Sequence, residues 1–305
     1  MGLRGLMIIL CALLLAGCNE PPRYSSDALE FLRSRGVDYA LAKKLTKRQP
    51  LTEDEVTTLQ VYDNIAVKHL LGANLGTPSE LLTVLAKHPH FEVRTGVASN
   101  PNTPLPVLLS LRVKGRYDTV NTVLAGNPML PQSVLREMYN AGEGSESSFA
   151  SNPNLPEDLM RKIDKNNDFS NMNRISLASN PKLPRDLLDK YLVDKNEAIR
   201  GHARSNPKLP QEILREMYNA GESMAGLAGH SNLPEDLMRA IDKRANDKIT
   251  DWYLHSILAE NPKLPRDLLD KYLVDQREAV RNAAQENPQL NPAYKGPEYE
   301  RLGGP

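Results

Sequence analysis

The chain has 305 residues, with 38 Lys plus Arg against 38 Asp plus Glu, 23 Pro, 18 Gly and 16 aromatics (11 Tyr, 4 Phe, 1 Trp). Zero net charge removes the whole-molecule positive field of a nucleic-acid binder, and so few aromatics argue against a surface that grips sugars or bases by stacking. Both cysteines, Cys11 and Cys18, lie in the first eighteen residues, and prolines that outnumber glycines call for a structural reason.

Residues 1–17 carry one charge, Arg4, ahead of an unbroken apolar run from Leu6 to Ala16. This is the pattern of a secretory signal, and the run is about half the length a bilayer-crossing helix needs. The tetrapeptide Leu15, Ala16, Gly17, Cys18 resembles the lipobox of bacterial lipoproteins. That resemblance implies removal of residues 1–17 and acylation of Cys18 as the new N-terminus. Asn19 is not the Asp that favours inner-membrane retention, so the resemblance also implies an outer-membrane anchor facing the periplasm. With Cys11 removed and Cys18 acylated, no thiol remains for a disulfide, a thiolate metal site or a cysteine nucleophile.

Residues 18–26 read as a short polar tether behind the lipid. Residues 27–73 read as an N-terminal helical cap, in which Thr52 and Glu55 form a capping box ahead of Val56, Leu59 and Val61. Residues 74–290 are repetitive. Asn-Pro recurs with its Asn at 100, 127, 152, 180, 206, 261 and 287, and the proline that opens each unit falls at 78, 104, 131, 156, 184, 210, 234 and 265. A unit of 24–31 residues repeated eight times predicts a repeat array, not two globular domains.

Counted from that proline, offsets +3, +4 and +7 are apolar in every unit, as in Leu81, Leu82 and Leu85 or Leu268, Leu269 and Tyr272. Those offsets line one face of a helix, so each unit should open with an amphipathic helix whose first residue is the proline. The opposite face carries pairs such as Glu157 with Arg161, the pattern of an ordinary solvated surface. Each unit ends in small residues before Asn-Pro, among them Ala98, Ala125, Ala150, Ala178 and Ala259. Alanine lets neighbouring layers approach, and Asn before Pro ends a second helix because Pro disfavours a helical conformation at the residue before it. A longer duplication overlies the short one: NPKLPRDLLDKYLVD at Asn180 recurs unchanged at Asn261, and two other segments recur at offsets of 79 and 78. Residues 291–305 read as a flexible tail.

The recurring Asn-Pro-x-Leu-Pro followed by an apolar helix resembles the leucine-rich repeat variant family of bacterial proteins. The resemblance implies an all-α, right-handed α-solenoid of about eight two-helix repeats, and no single activity. One member of that family carries a cysteine-ligated iron–sulfur module, which this chain cannot hold once Cys11 is removed and Cys18 acylated, so no cofactor is expected.

Metal chemistry would have to use histidines, and His88, His90, His202, His230 and His255 are too scattered for it; they read as surface or capping residues, with no metal site. Carboxylates recur with the repeat, which favours helix-dipole and surface roles over catalysis. Tyr191 and Tyr272 fall at +7 and read as packed aromatics. Tyr139 and Tyr218, at +8, lie on the rim of that face and are contact candidates, as is Trp252 in the irregular unit of 31 residues between Pro234 and Pro265. The expected function is a non-catalytic, outer-membrane-anchored scaffold that contacts a periplasmic or envelope protein, as an accessory to assembly or secretion or as a neutraliser of a toxin, and not nucleic acid. Peptidoglycan or other glycan binding is the alternative, and enzyme activity is not expected because no isolated set of nucleophile, base and orienting group is present.

Overall fold

Alternating apolar helical faces separated by proline produce a chain of short helices. The computed structural model describes residues 23–115, 117–166, 171–247 and 252–290. Cys18, most of the 18–26 tether and the 291–305 segment lie outside the described residues. Within the described residues there are twenty α-helices, a closing 3-10 turn at Pro288–Leu290 and no strand.

The chain divides into two compact units, one ending at residue 184 and the other starting at Arg185. The first begins with α1 (Arg23–Ser34), α2 (Tyr39–Thr46), α3 (Glu53–Gln60) and α4 (Ile65–Ala73). Four helix pairs follow: α5 (Ser79–Leu85) with α6 (Phe91–Ser99), α7 (Leu105–Leu111) with α8 (Thr119–Ala125), α9 (Gln132–Asn140) with α10 (Glu146–Ser151), and α11 (Glu157–Lys165) with α12 (Met172–Ala178). The second unit has four more: α13 (Arg185–Leu192) with α14 (Glu197–Arg204), α15 (Gln211–Asn219) with α16 (Met224–Ala228), α17 (Glu235–Asp247) with α18 (Tyr253–Ala259), and α19 (Arg266–Leu273) with α20 (Glu278–Gln285). In each unit the second helices of successive pairs pack on one another, as α4 does on α6, α10 on α12 and α18 on α20.

The apolar offsets fill the core. Every +4 residue is buried, and so is every +7 residue except the half-buried Met217. The alanines ahead of the Asn-Pro steps have no exposed surface. One contact is closer still, because a Cβ on Gly96 would stand 2.2 Å from the carbonyl oxygen of His69, so α4 and α6 touch backbone to backbone there.

The proline stands one position earlier than expected. Pro78, Pro131 and Pro156 precede their helices with ψ of 150, 151 and 144°, and their carbonyls accept the N–H groups of Leu82, Leu135 and Met160 at 3.0–3.1 Å. The ring fixes φ near −65°, a value that extended and helical backbone share, and the missing N–H costs nothing ahead of the first turn.

Two boundaries near the N-terminus also differ. The first helix starts at Arg23, inside the segment expected to be tether: the Tyr24 ring lies 4.3 Å from His69, and the buried Ser25 donates to the Thr46 carbonyl. The Thr52–Glu55 capping box is present. Thr52 stands 26 residues before Pro78 and caps α3 as the prolines precede later helices, while Val56 and Leu59 are buried at +4 and +7. The cap therefore ends in a pair, α3 with α4, built like the repeats.

The asparagines do more than stop helices. Asn152 lies after α10 in extended conformation, its Oδ1 accepts the N–H of Asn154 at 2.8 Å, and its Nδ2 donates to the carbonyls of Ala125 and Asn127 in the preceding layer, at 2.7 and 2.8 Å. Its own carbonyl accepts from Leu155 N–H and from Asn180 Nδ2 of the next layer. All hydrogen-bonding groups of a buried amide are thereby used, which is the condition for burying it at all. Asn100, Asn127 and Asn180 repeat the arrangement in the first unit, and Asn261 and Asn287 in the second. Asn74, followed by Leu instead of Pro, starts the ladder by donating to Gln49 O and accepting from Leu51 and Gly76 N–H. His230 occupies one rung: Nε2 faces the Asn206 carbonyl at 3.0 Å and Nδ1 accepts from Asn232 N–H at 3.0 Å.

Candidate functional site

Three surfaces run along each unit, and two are occupied by contacts within the protein. The junctions between one pair and the next are tied by the ladder and by a second row outside it, in which Asn102, Asn154, Asn232 and Gln289 each donate to a carbonyl of the preceding junction. The outward faces of the first helices are charged but self-neutralised. Arg136 pairs with Asp158 in the first unit; in the second, Arg215 pairs with Asp236 at 2.8 Å and Arg239 with both Asp267 and Glu235 at 2.8 Å.

The third surface is the junction inside each pair, from the end of the first helix to the start of the second. Of twelve exposed large apolar residues among the described residues, nine lie there: Val61, Phe91, Val113, Tyr117 and Met172 in the first unit, and Val193, Trp252, Tyr253 and Val274 in the second. Val193 and Val274, at equivalent places in the duplicated segment, are the most exposed at 80% and 78%.

Buried ionic clusters hold one of these junctions in each unit in shape. In the first unit the Arg112 guanidinium donates to Glu143 at 2.6 Å and to Glu137 at 2.8 Å, and Glu143 also accepts the N–H of Gly115, whose φ of +69° turns the loop. Burial acts to raise the pKa of Glu143, but Arg112 and the Gly115 N–H outweigh it and hold the carboxyl below the usual range. Asn121 clamps the same loop by exchanging two hydrogen bonds with the Val113 backbone.

In the second unit the centre is Asp242, near the end of the long helix α17. It accepts from Tyr272 Oη at 2.7 Å and from Lys271 Nζ at 2.8 and 2.9 Å, while His255 Nε2 lies 3.3 Å from Oδ1. Arg277 bridges His255 Nδ1, at 2.8 Å, to Asp275. Burial opposes the charge on Asp242, yet the donors from His255, Lys271 and Tyr272 win and keep the carboxyl ionised well below its ordinary range. Burial, then Asp242, pushes the Tyr272 phenol upward. The acceptors of this cluster are filled by cations and N–H or O–H donors, so it braces the junction. Replacing Asp242 by Asn should cost about 2 kcal/mol of stability, because Lys271 loses its counter-charge and one donor loses its acceptor. Urea denaturation reads this directly; an unchanged midpoint would mean the cluster contributes nothing net.

Tyr139 is half-buried. Its hydroxyl donates to Glu146 at 3.0 Å and its ring meets Phe149 edge-on at 5.5 Å, and burial followed by Glu146 pushes its pKa up to about 12. Tyr218 is also half-buried, and Trp252, 40% exposed, sits beside Tyr253 at the start of α18. Tyr139 belongs to the first unit and Tyr218 and Trp252 to the second, where no ring contact joins these two. Tyr191 and Tyr272 are fully buried.

The histidines divide. His90 and His202 are exposed and His88 half-buried, but His230 and His255 are buried, contrary to a surface reading, because each replaces solvent with protein partners at both ring nitrogens. Among the described residues no three His, Cys, Asp or Glu side chains are grouped to hold a metal ion, and no helix is long and apolar enough to cross a membrane. No protein-family model matches this chain, and no curated protein matches it either.

Proposed function

We propose that this protein is an outer-membrane lipoprotein of the leucine-rich repeat variant kind, a right-handed α-solenoid that works without catalysis as a scaffold for a periplasmic or envelope protein. The observation that carries this reading is where the exposed apolar side chains lie. Two of the three surfaces have internally paired groups, whereas the junctions inside the helix pairs expose Phe, Tyr, Trp, Met and Val side chains, and buried ion clusters brace the loops of Val113 and Val274. Rigid loops on a repeat scaffold are where such proteins place their contacts, and apolar side chains ringed by polar ones suit a protein partner.

Photo-crosslinking in cells tests it, with the crosslinking residue placed at Val113, Val193, Trp252 or Val274 and, as controls, at Asn102 or Lys208 on the opposite edge. One envelope protein captured from the first set and not from the controls is the expected result, and it would identify the assembly, secretion or toxin-neutralising system served. Capture of peptidoglycan fragments alone would replace the scaffold reading by a glycan-binding one, and equal capture from both edges would overturn it.

A further inference from the structure

The charges of the N-terminal helices are segregated along the chain: residues 49–73 hold one Lys against four Asp and Glu, and the excess of cations lies ahead of them. Residues 23–48 hold seven Lys and Arg against three Asp and Glu, a net of four positive charges in a chain whose total is zero. Arg33, Arg35, Lys43 and Lys47 are exposed, and among the described residues no ion pair engages them, in contrast to Arg136, Arg215 and Arg239 of the repeats. Three of them lean on aromatic rings instead. Arg33 Cζ and Lys43 Nζ both lie 5.8 Å from the centre of the Tyr39 ring, which is 53% exposed, and Arg35 Cζ lies 5.3 Å from that of Phe31. Tyr39 and Lys43 lie one turn apart on one face of α2, and Lys47 stands at the C-cap just beyond its end. Asp38 is occupied as the cap of α2 by the Leu41 N–H at 3.0 Å, Glu30 on α1 makes no ion pair with the patch among the described residues, and Lys44 is neutralised by Glu55.

The geometry points to this patch as a docking surface for an anionic phospholipid bilayer. The inference rests on the lipoprotein reading, because only acylated Cys18 brings the patch to a membrane. Four residues separate Cys18 from Arg23, and at about 3.5 Å each they cannot hold the body far from the surface. At that distance the local lipid concentration is high, so even weak attraction orients the molecule. Four unpaired cations supply attraction to anionic headgroups, and an exposed tyrosine between two of them suits the boundary between headgroup and acyl chain. The lipid would then fix the N-terminal helices against the bilayer and turn the repeats toward the periplasm.

The test uses the mature chain with Cys18→Ala, which carries no acyl group, sedimented with vesicles of phosphatidylcholine alone or containing phosphatidylglycerol. Binding should need phosphatidylglycerol and weaken with salt. Each neutralised cation should reduce partitioning about fivefold, so Arg33→Gln, Lys43→Gln and Lys47→Gln together should reduce it about a hundredfold. Arg136→Gln, Arg215→Gln and Arg239→Gln together, the same charge change in the repeats, should leave it within twofold. Equal binding to both vesicle types, equal loss in the two triple variants, or no binding at all would overturn the proposal, and the last would favour an acidic protein as the partner of the patch. Mass spectrometry of the N-terminal peptide of the wild-type protein from cell membranes checks the acylation separately. An unmodified Cys18 removes the lipoprotein reading, and with it the means of bringing the patch to a bilayer, whatever the vesicles show.

Discussion

Replacing Asn152 by Ala should lower the unfolding free energy by about 4 kcal/mol, the largest single-residue effect expected in the first unit. The substitution removes three hydrogen bonds at once, from Nδ2 to Ala125 O and Asn127 O and from the Asn154 N–H to Oδ1. Buried polar groups that lose their partners cost about 1–3 kcal/mol each, and Asn127 O is partly compensated because it still accepts from the Leu130 N–H. Asn154→Ala, which loses a half-buried bond to Pro128 O and an exposed one from Lys182 Nζ, should cost about 1 kcal/mol by comparison. Asn152→Asp sharpens the test. A carboxylate keeps the acceptor but places negative oxygens against two carbonyls, so this variant should be less stable than the Ala variant at neutral pH. It should regain stability in acid, where the raised carboxyl pKa of the folded state lets a proton return. Urea midpoints at constant slope give these differences, and a loss below 1 kcal/mol for Asn152→Ala would reduce the ladder to a by-product of packing.

The second large effect is on the pH dependence of stability. His230 is neutral in the folded protein by geometry: Nε2–H donates to Asn206 O and bare Nδ1 accepts from Asn232 N–H, so a second proton would face an N–H. Burial, foremost, lowers its pKa, and the nearby Lys263 ammonium, which contacts Asn232 Oδ1 at 3.1 Å, acts in the same direction, against the hydrogen bond to Asn206 O. The unfolded chain therefore binds a proton at about pH 6.5 that the folded chain takes up only at lower pH. Stability from this group is complete above the unfolded value and is lost as pH falls toward the folded one, by up to about 1.4 kcal/mol per pH unit. His69, buried and also lowered, contributes with the same sign. His230→Asn should restore the rung found elsewhere, flatten the stability curve between pH 7 and 5, and leave the variant more stable than the parent at pH 5 by about 1 kcal/mol or more. Superimposable curves for the two proteins would mean that the rung does not open with protonation.

Much of the helical architecture is legible in the residues. The +4 and +7 faces, the alanines at the layer contacts, the Thr52 capping box and the end of the second helix at Asn-Pro all follow from spacing and from what proline does to its neighbours. The ladder is not legible in the same way, because each Asn side chain meets backbone carbonyls about one unit away, and a carbonyl carries no residue identity. What the spacing does contain is the rung at Asn74 and the pair that Thr52 opens, both hidden by the lack of a proline. His230, two residues before Asn232-Leu-Pro, likewise stands where other units have Asn. The exposed apolar junctions are harder still. Val113, Val193 and Val274 fall between periodic segments, and the loops of Val113 and Val274 are held by Glu143 and by the Asp242 cluster, whose partners come from neighbouring helix pairs. Recurrence alone assigns Asp242 to the surface, whereas Tyr272 of the next pair draws it inward.

The direction of the ladder bears on how such a gene lengthens. Each amide donates toward the N-terminus and each asparagine carbonyl accepts from the C-terminal side, so a whole number of units begins with donors and ends with acceptors. A copied block of this kind joins its parent at either boundary with donors meeting acceptors, and a tandem duplication in frame needs no compensating substitution to fold. A copy of a fractional unit would bring donor against donor or shift the apolar face, and selection would remove it. The three-unit repeat at offsets of 78 to 81 residues is the kind of change this architecture lets a lineage keep.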